Sequence, residues 1–298
     1  MNNVQGLFKK SKYEMILEKQ KKKQAALAGD QEKLWDKIPE MDEAGYEKWG
    51  DYYLEQGNQG KAYMQYYKAL KLKPEHTGIR DKIARMYLKK GMAEQAVIEF
   101  RNILSYDPDN ARAFEGLGRA YLRLDRLEDA EKNFRQAVKF DPEFWQAYNF
   151  LGIIHERRNM YDKAIEEYKT AVSLQPKKAS LFNNLGMAFY FTGEYEKAVN
   201  SYNLALKTES SNTRILNNLA MALCRLERYD EAVEAFKRAG NKAAAYNNIG
   251  YVYMVEGKSG EAVRAFEKAI ETNSRFYVKA HENMMNAKPA SGAARSGQ

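Results

Sequence analysis

Apolar residues recur along this chain at spacings of three and four, not in alternation, which is the period of amphipathic helices and not of strands. A longer period contains the short one. An apolar residue followed by a small one returns at Trp49-Gly50, Ile83-Ala84, Leu117-Gly118, Leu151-Gly152, Leu185-Gly186, Leu219-Ala220 and Ile249-Gly250. Three positions further on stand Tyr53, Tyr87, Tyr121, His155, Phe189, Leu223 and Tyr253. Between these motifs lie Ala62, Ala96, Ala130, Ala164, Ala198, Ala232 and Ala262, each followed four residues later by a ring: Tyr66, Phe100, Phe134, Tyr168, Tyr202, Phe236 and Phe266. The first motif predicts a helix A and the second a helix B. Pro74, Pro108, Pro142 and Pro176 follow the first four B helices, where a residue without an amide hydrogen stops the helix. Ser210 and Ser274 take that place in the fifth and seventh, a change that a helix N-cap tolerates.

A small residue where two helices cross lets their backbones approach, and a ring from the neighbouring helix fills the groove so opened. One such hairpin cannot bury its apolar face, but stacked hairpins share a core. The 34-residue return and the motif residues quoted above resemble the tetratricopeptide repeat family over roughly residues 43–276. The resemblance implies an all-α fold, a right-handed α-solenoid of seven helix-turn-helix repeats. Their expected bounds are 43–76, 77–110, 111–144, 145–178, 179–212, 213–242 and 243–276. A capping helix is expected at 277–287. Repeat six is short. Ala239-Gly240-Asn241 offers a helix C-cap, and the next helix A is expected near Ala243, about one helical turn early.

Composition narrows the class. Charged residues make up 30% of the chain and aromatic residues 12%, a mixture that suits a folded core and not a disordered chain. The net charge of +8 is spread among interspersed acids, so it identifies no nucleic-acid partner. With one cysteine, Cys224, no internal disulfide forms, and no apolar run has signal-peptide or membrane-spanning length, so a cytoplasmic location is expected. Residues 1–42 form a lysine-rich extension with Lys19, Lys21, Lys22 and Lys23, read as a solvated helix. With Leu7, Phe8, Ile16 and Leu17, residues 7–27 also allow weak contact with an anionic membrane, and a peripheral membrane adaptor is one alternative function. Trp35 and Ile38 are expected to pack on the first repeat. Residues 288–298 read as a tail with nothing to bury. His76, His155 and His281 are scattered, and His155 falls in an interior aromatic slot. No metal spacing, phosphate loop or nucleophile elbow occurs, so no enzyme, cofactor or metal is expected.

In the tetratricopeptide family the concave surface is lined by helix A, at the two positions two and three residues before the small residue and on the same face one turn later. Here those positions hold Asn149, Asn183, Asn184, Asn217, Asn218, Asn247 and Asn248. Met187, Tyr190 and Phe191, Met221 and Cys224, and Tyr251 and Met254 share the face. Amides both donate and accept, which suits the backbone of an extended peptide, while Met and aromatic surfaces suit its side chains. This array is similar to the asparagine array of O-GlcNAc transferases, without their transferase domain. In the first half, Glu47, Lys48, Asp51, Asp81, Lys82, Arg85, Arg112, Glu115, Arg119 and Arg123 occupy comparable positions and read as solvated helix. The carboxylate clamp of chaperone adaptors is absent, because Asp51, Arg85, Arg119, Ile153, Met187, Met221 and Tyr251 follow the small residues. The expected function is a non-catalytic scaffold that grips an extended segment of a partner protein and assists assembly of a complex. The stretch from Ala245 to Asn283 is also similar to the end of tight-adherence pilus assembly proteins, which gives a pilus or secretion assembly factor as another alternative.

Overall fold

Helices form at the A and B motifs in the computed structural model, which describes residues 41–240, 242–272 and 277–287. The lysine-rich stretch through residue 40, with Trp35 and Ile38, lies outside the described residues, as do Ser274 and the tail from 288. Fifteen helices are present among the described residues: α1 (Glu43–Glu55), α2 (Gln59–Leu72), α3 (Thr77–Lys89), α4 (Ala93–Tyr106), α5 (Ala111–Arg123), α6 (Leu127–Phe140), α7 (Trp145–Arg157), α8 (Tyr161–Leu174), α9 (Ala179–Phe191), α10 (Tyr195–Thr208), α11 (Thr213–Arg225), α12 (Tyr229–Arg238), α13 (Lys242–Val255), α14 (Ser259–Thr272) and α15 (Tyr277–Ala287). No strand occurs among these residues. None of the helices is long and apolar enough to cross a membrane.

The chain divides into two units, Met1–Ile79 and Arg80–Gln298. In the first, α1 packs on α2 with Gly50 against the Tyr66 ring, where an added Cβ would lie 2.3 Å from a ring carbon. The Tyr66 hydroxyl donates to Asp51 at 2.6 Å. Asp42 and Asn58 cap α1 and α2 by accepting from Gly45 N at 2.8 Å and Lys61 N at 3.1 Å.

From α4 to α15 the principal contacts join each helix to its sequence neighbours, as stacked hairpins require. One apolar cluster runs from Ala84 to Ile154, another from Ala164 to Ala265, and Ala262, Phe266, Met284 and Ala287 seat α15 on α14. The glycine-to-ring contact recurs. An added Cβ would come within 2.6 Å of Phe134 at Gly118, 2.4 Å of Tyr168 at Gly152, 2.7 Å of Tyr202 at Gly186 and 2.6 Å of Phe266 at Gly250.

The turn inside each hairpin is built one way in both units. A left-handed residue follows the A helix at Gly57, Gly91, Asp125, Asn159, Gly193, Glu227 and Gly257, with φ between 56° and 82°. The next amide then bonds back to the residue three after the small one, from Asn58 N to Tyr53 O at 2.8 Å through Lys258 N to Tyr253 O at 2.9 Å.

The B helices have 14 residues except α12, which has 10. Ala239 caps α12, Gly240 turns the chain at φ 84°, and α13 starts at Lys242. Thr213 Oγ1 donates to the Ala239 carbonyl at 2.7 Å, which satisfies a helix-end acceptor.

Candidate functional site: the A-helix face of residues 80–298

Each A helix of the second unit presents the same two consecutive positions before its small residue. The first of the two holds Asp81, Glu115, Asn149, Asn183, Asn217 and Asn247, and its chemistry changes along the stack.

In α3 and α5 the position is charged. Glu115 is only 3% exposed and lies 3.6 Å from Arg85 and 3.4 Å from Arg119, while Arg85 also holds Asp81 at 2.7 Å. Burial pushes the Glu115 carboxyl above its usual range, because the pull of Arg119 and Arg85 does not fully offset desolvation. The expectation of a solvated surface is corrected at this point: the Glu115 carboxylate is an internal brace between α3 and α5. Sequence spacing put Arg119 one turn from Glu115 but carried no signal of depth.

From α7 onward the position is an amide, and from α7 to α11 the amides of successive A helices bond to each other. Asn184 Nδ2 donates to Asn149 Oδ1 at 3.0 Å, and Asn218 Nδ2 donates to Asn183 Oδ1 at 2.9 Å. The capping helix continues the scheme, with Asn283 donating to Asn247 at 3.0 Å. The acceptors Asn183 and Asn247 are 6% and 5% exposed, so they face their neighbours more than solvent. Asn183 also approaches Met187 Sδ at 3.7 Å. Asn184, Asn217, Asn218 and Asn248 are half-buried. An amide that spends one hydrogen on a neighbour keeps a second hydrogen and its oxygen for another partner.

Three depressions follow one another on this face. The first, about 350 Å³, lies between α7, α8 and α9 and is lined by Ile153, Glu156, Arg157, Tyr161, Asn184, Met187 and Phe191. The second, about 140 Å³, is bounded by Met187, Tyr190, Phe191, Asn218 and Met221. The third, about 250 Å³, holds Met221, Phe236, Asn247, Asn248, Tyr251, Val252 and Asn283. Most drug-sized ligands need an enclosed space of several hundred Å³, so these open hollows fit single side chains of a larger partner better than one small molecule. Phe191, Met221 and Tyr251 are 52%, 41% and 49% exposed, an apolar strip with amides between. Met254 packs toward the α14–α15 cluster, away from the three hollows. Cys224 is half-buried and its thiol is pushed up to about 11 by burial, so it stays protonated at neutral pH. Sequence reasoning missed Asn283, Ile153 and Tyr161. Asn283 had a signal, standing 36 residues after Asn247, close to the spacing of the other pairs.

His155 is a core imidazole. It fills the slot that Tyr121 fills one repeat earlier, with Arg135 at 3.5 Å as Arg101 meets the Tyr121 hydroxyl at 2.7 Å. Burial lowers its pKa, and Glu167 lies 3.8 Å away.

Comparison with known proteins gives two family matches. The model described as the cilia and flagella-associated protein 70 C-terminal domain matches residues 9–249, and a tetratricopeptide repeat model matches residues 243–276. No curated protein sequence matches. Among solved structures, MamA protein is 25% identical over 58% of this chain and 94% of that chain, with a TM-score of 0.50. Pseudomonas aeruginosa PilF is 23% identical over 66% of this chain and 89% of that chain, at 0.59. YrrB, described as a TPR protein with an unusual peptide-binding site, is 20% identical over 61% and 96%, at 0.54. The latter two likenesses speak to the fold.

Proposed function

Because the chain belongs to the family of the cilia and flagella-associated protein 70 C-terminal domain, a tetratricopeptide-repeat family, we propose that it is a non-catalytic scaffold for protein partners. Residues 43–276 read as seven helix-turn-helix repeats. Its ligand is an extended segment of another protein, laid along the A-helix face from α7 to α13, and holding that segment assists assembly of a complex.

The observation that carries this reading is the succession of three side-chain-sized hollows on one face, separated by amides with unspent bonding capacity. An extended chain presents side chains and peptide groups in alternation, and the face offers apolar hollows with amides between them. The peptide-binding site ascribed to YrrB, on a similar fold, is consistent with the same use.

The test uses three exposed side chains whose loss leaves the core intact. Phe191, Met221 and Tyr251 replaced together by Ser should weaken binding of a display-selected dodecapeptide by at least about tenfold, since each removes an apolar contact, with helicity unchanged by circular dichroism. Undiminished binding by this variant would exclude the face.

A further inference from the structure

The amide column breaks once. At the regular junctions the second amide of one A helix donates to the first amide of the A helix before it, from Asn184 to Asn149 and from Asn218 to Asn183. At the end of the stack Asn283 does the same for Asn247. By that rule Asn248 should donate to Asn217. It does not, and among the described residues neither side chain has a hydrogen-bond partner. Asn217 is half-buried, whereas Asn183 and Asn247, at the same position in their repeats, are 6% and 5% exposed.

The cause is the short helix between them. α12 ends four residues before the other B helices would, and Gly240 starts α13 early. The register that brings amide to amide elsewhere is therefore lost between α11 and α13. Two carboxamides are left with all their donors and acceptors uncommitted.

Asn248 lines the hollow that also holds Met221, Phe236, Asn247, Tyr251, Val252 and Asn283, and none of these residues is charged. A phosphate or a chain-terminal carboxylate desolvated here would meet no cation, which is costly. A peptide group from the middle of a chain is neutral and carries one donor and one acceptor, which an amide matches.

Resting on the function proposed above, we infer that Asn217 and Asn248 are the backbone-reading residues of this face. They hydrogen-bond an internal stretch of the partner segment, which takes the place of the missing amide–amide bond. An adjacent apolar side chain of the segment enters the hollow between Met221 and Tyr251. The paired amides Asn149 and Asn184 keep neighbouring helices in register and contribute little to affinity.

The full chain is used with a synthetic dodecapeptide selected on it from a random display library, its C-terminus amidated. Asn217→Ala and Asn248→Ala should each weaken binding by about tenfold, the loss expected for one hydrogen bond in a desolvated site. Asn149→Ala should change it less than about twofold. N-methylation of one internal peptide bond should cost wild-type binding and cost Asn248→Ala binding much less, the coupling expected when one group reads the other. Wild-type affinity in both Asn217→Ala and Asn248→Ala, with binding lost in Phe191→Ser, overturns the inference and leaves the scaffold reading standing. Binding only by peptides with a free C-terminal carboxylate also overturns it. Failure of every peptide to bind, or binding indifferent to Phe191→Ser as well, overturns the scaffold reading itself.

Discussion

At Gly152 an added methyl carbon would lie 2.4 Å from the Tyr168 ring, a distance that no relaxed contact allows. Alanine favours a helix over glycine by roughly 1 kcal/mol, while overpacking a fitted core costs about 1–3 kcal/mol. Gly152→Ala is therefore expected to lower stability by up to about 2 kcal/mol, read as a lower thermal midpoint. Glu115 is governed by charge and depth together. Its folded carboxyl binds its proton more tightly than the unfolded value of 4.5. The folded state thus holds more protons in that window, and Glu115 makes stability fall as pH rises from 4.5 through the raised value. In Glu115→Gln this portion of the decline should vanish, which melting curves of both proteins across mildly acidic pH would reveal. The column containing Glu115 was legible as a column, because its members from Asp81 to Asn217 are 34 residues apart. Its depth was not, because the carboxylate is covered by Arg85 of α3 as well as by Arg119 one turn along its own helix, and only packing brings α3 against α5.

Among the elements, the hairpin turn repeats most faithfully. Four of its seven left-handed positions are glycine, but Asp125, Asn159 and Glu227 adopt φ of 56°, 57° and 60°. A side chain there costs about 1–2 kcal/mol, less for the Asn and Asp whose short polar groups bond locally. Glu227→Gly should accordingly stabilise by about 1 kcal/mol, seen as a higher midpoint in urea. The glycine turns were readable as breaks in the apolar period. Glu227 was not, since glutamate carries no turn preference and the conformation is imposed by the helices on either side. The shortened α12 was readable, because Gly240 and the 30-residue interval from Ala220 to Gly250 both announce it. Its separation of Asn217 from Asn248 was not, because the pairing of Asn184 with Asn149 lies across 35 residues and depends on helix rotation.

For the second unit as a whole, stability resides in shared interfaces. Leu151 and Phe134 are fully buried in the cluster that links α3 through α7. Truncating Leu151 to Ala is expected to cost about 3–5 kcal/mol, measured by denaturant unfolding. Partner binding should respond differently to solution conditions from such folding. The hollow beside Asn248 has no charged lining, so affinity for a neutral peptide should change less than about twofold between low salt and about 0.5 M salt. The last helix adds a point about size. By placing Asn283 against Asn247, α15 meets the stack with the handshake used at interior junctions, so the terminus is chemically a junction left open. A duplicate of α13 and α14 spliced ahead of α15 would offer the same acceptor on one side and the same donor on the other. The length of partner that such a protein spans is then adjustable by copying one unit, with no new joint to invent.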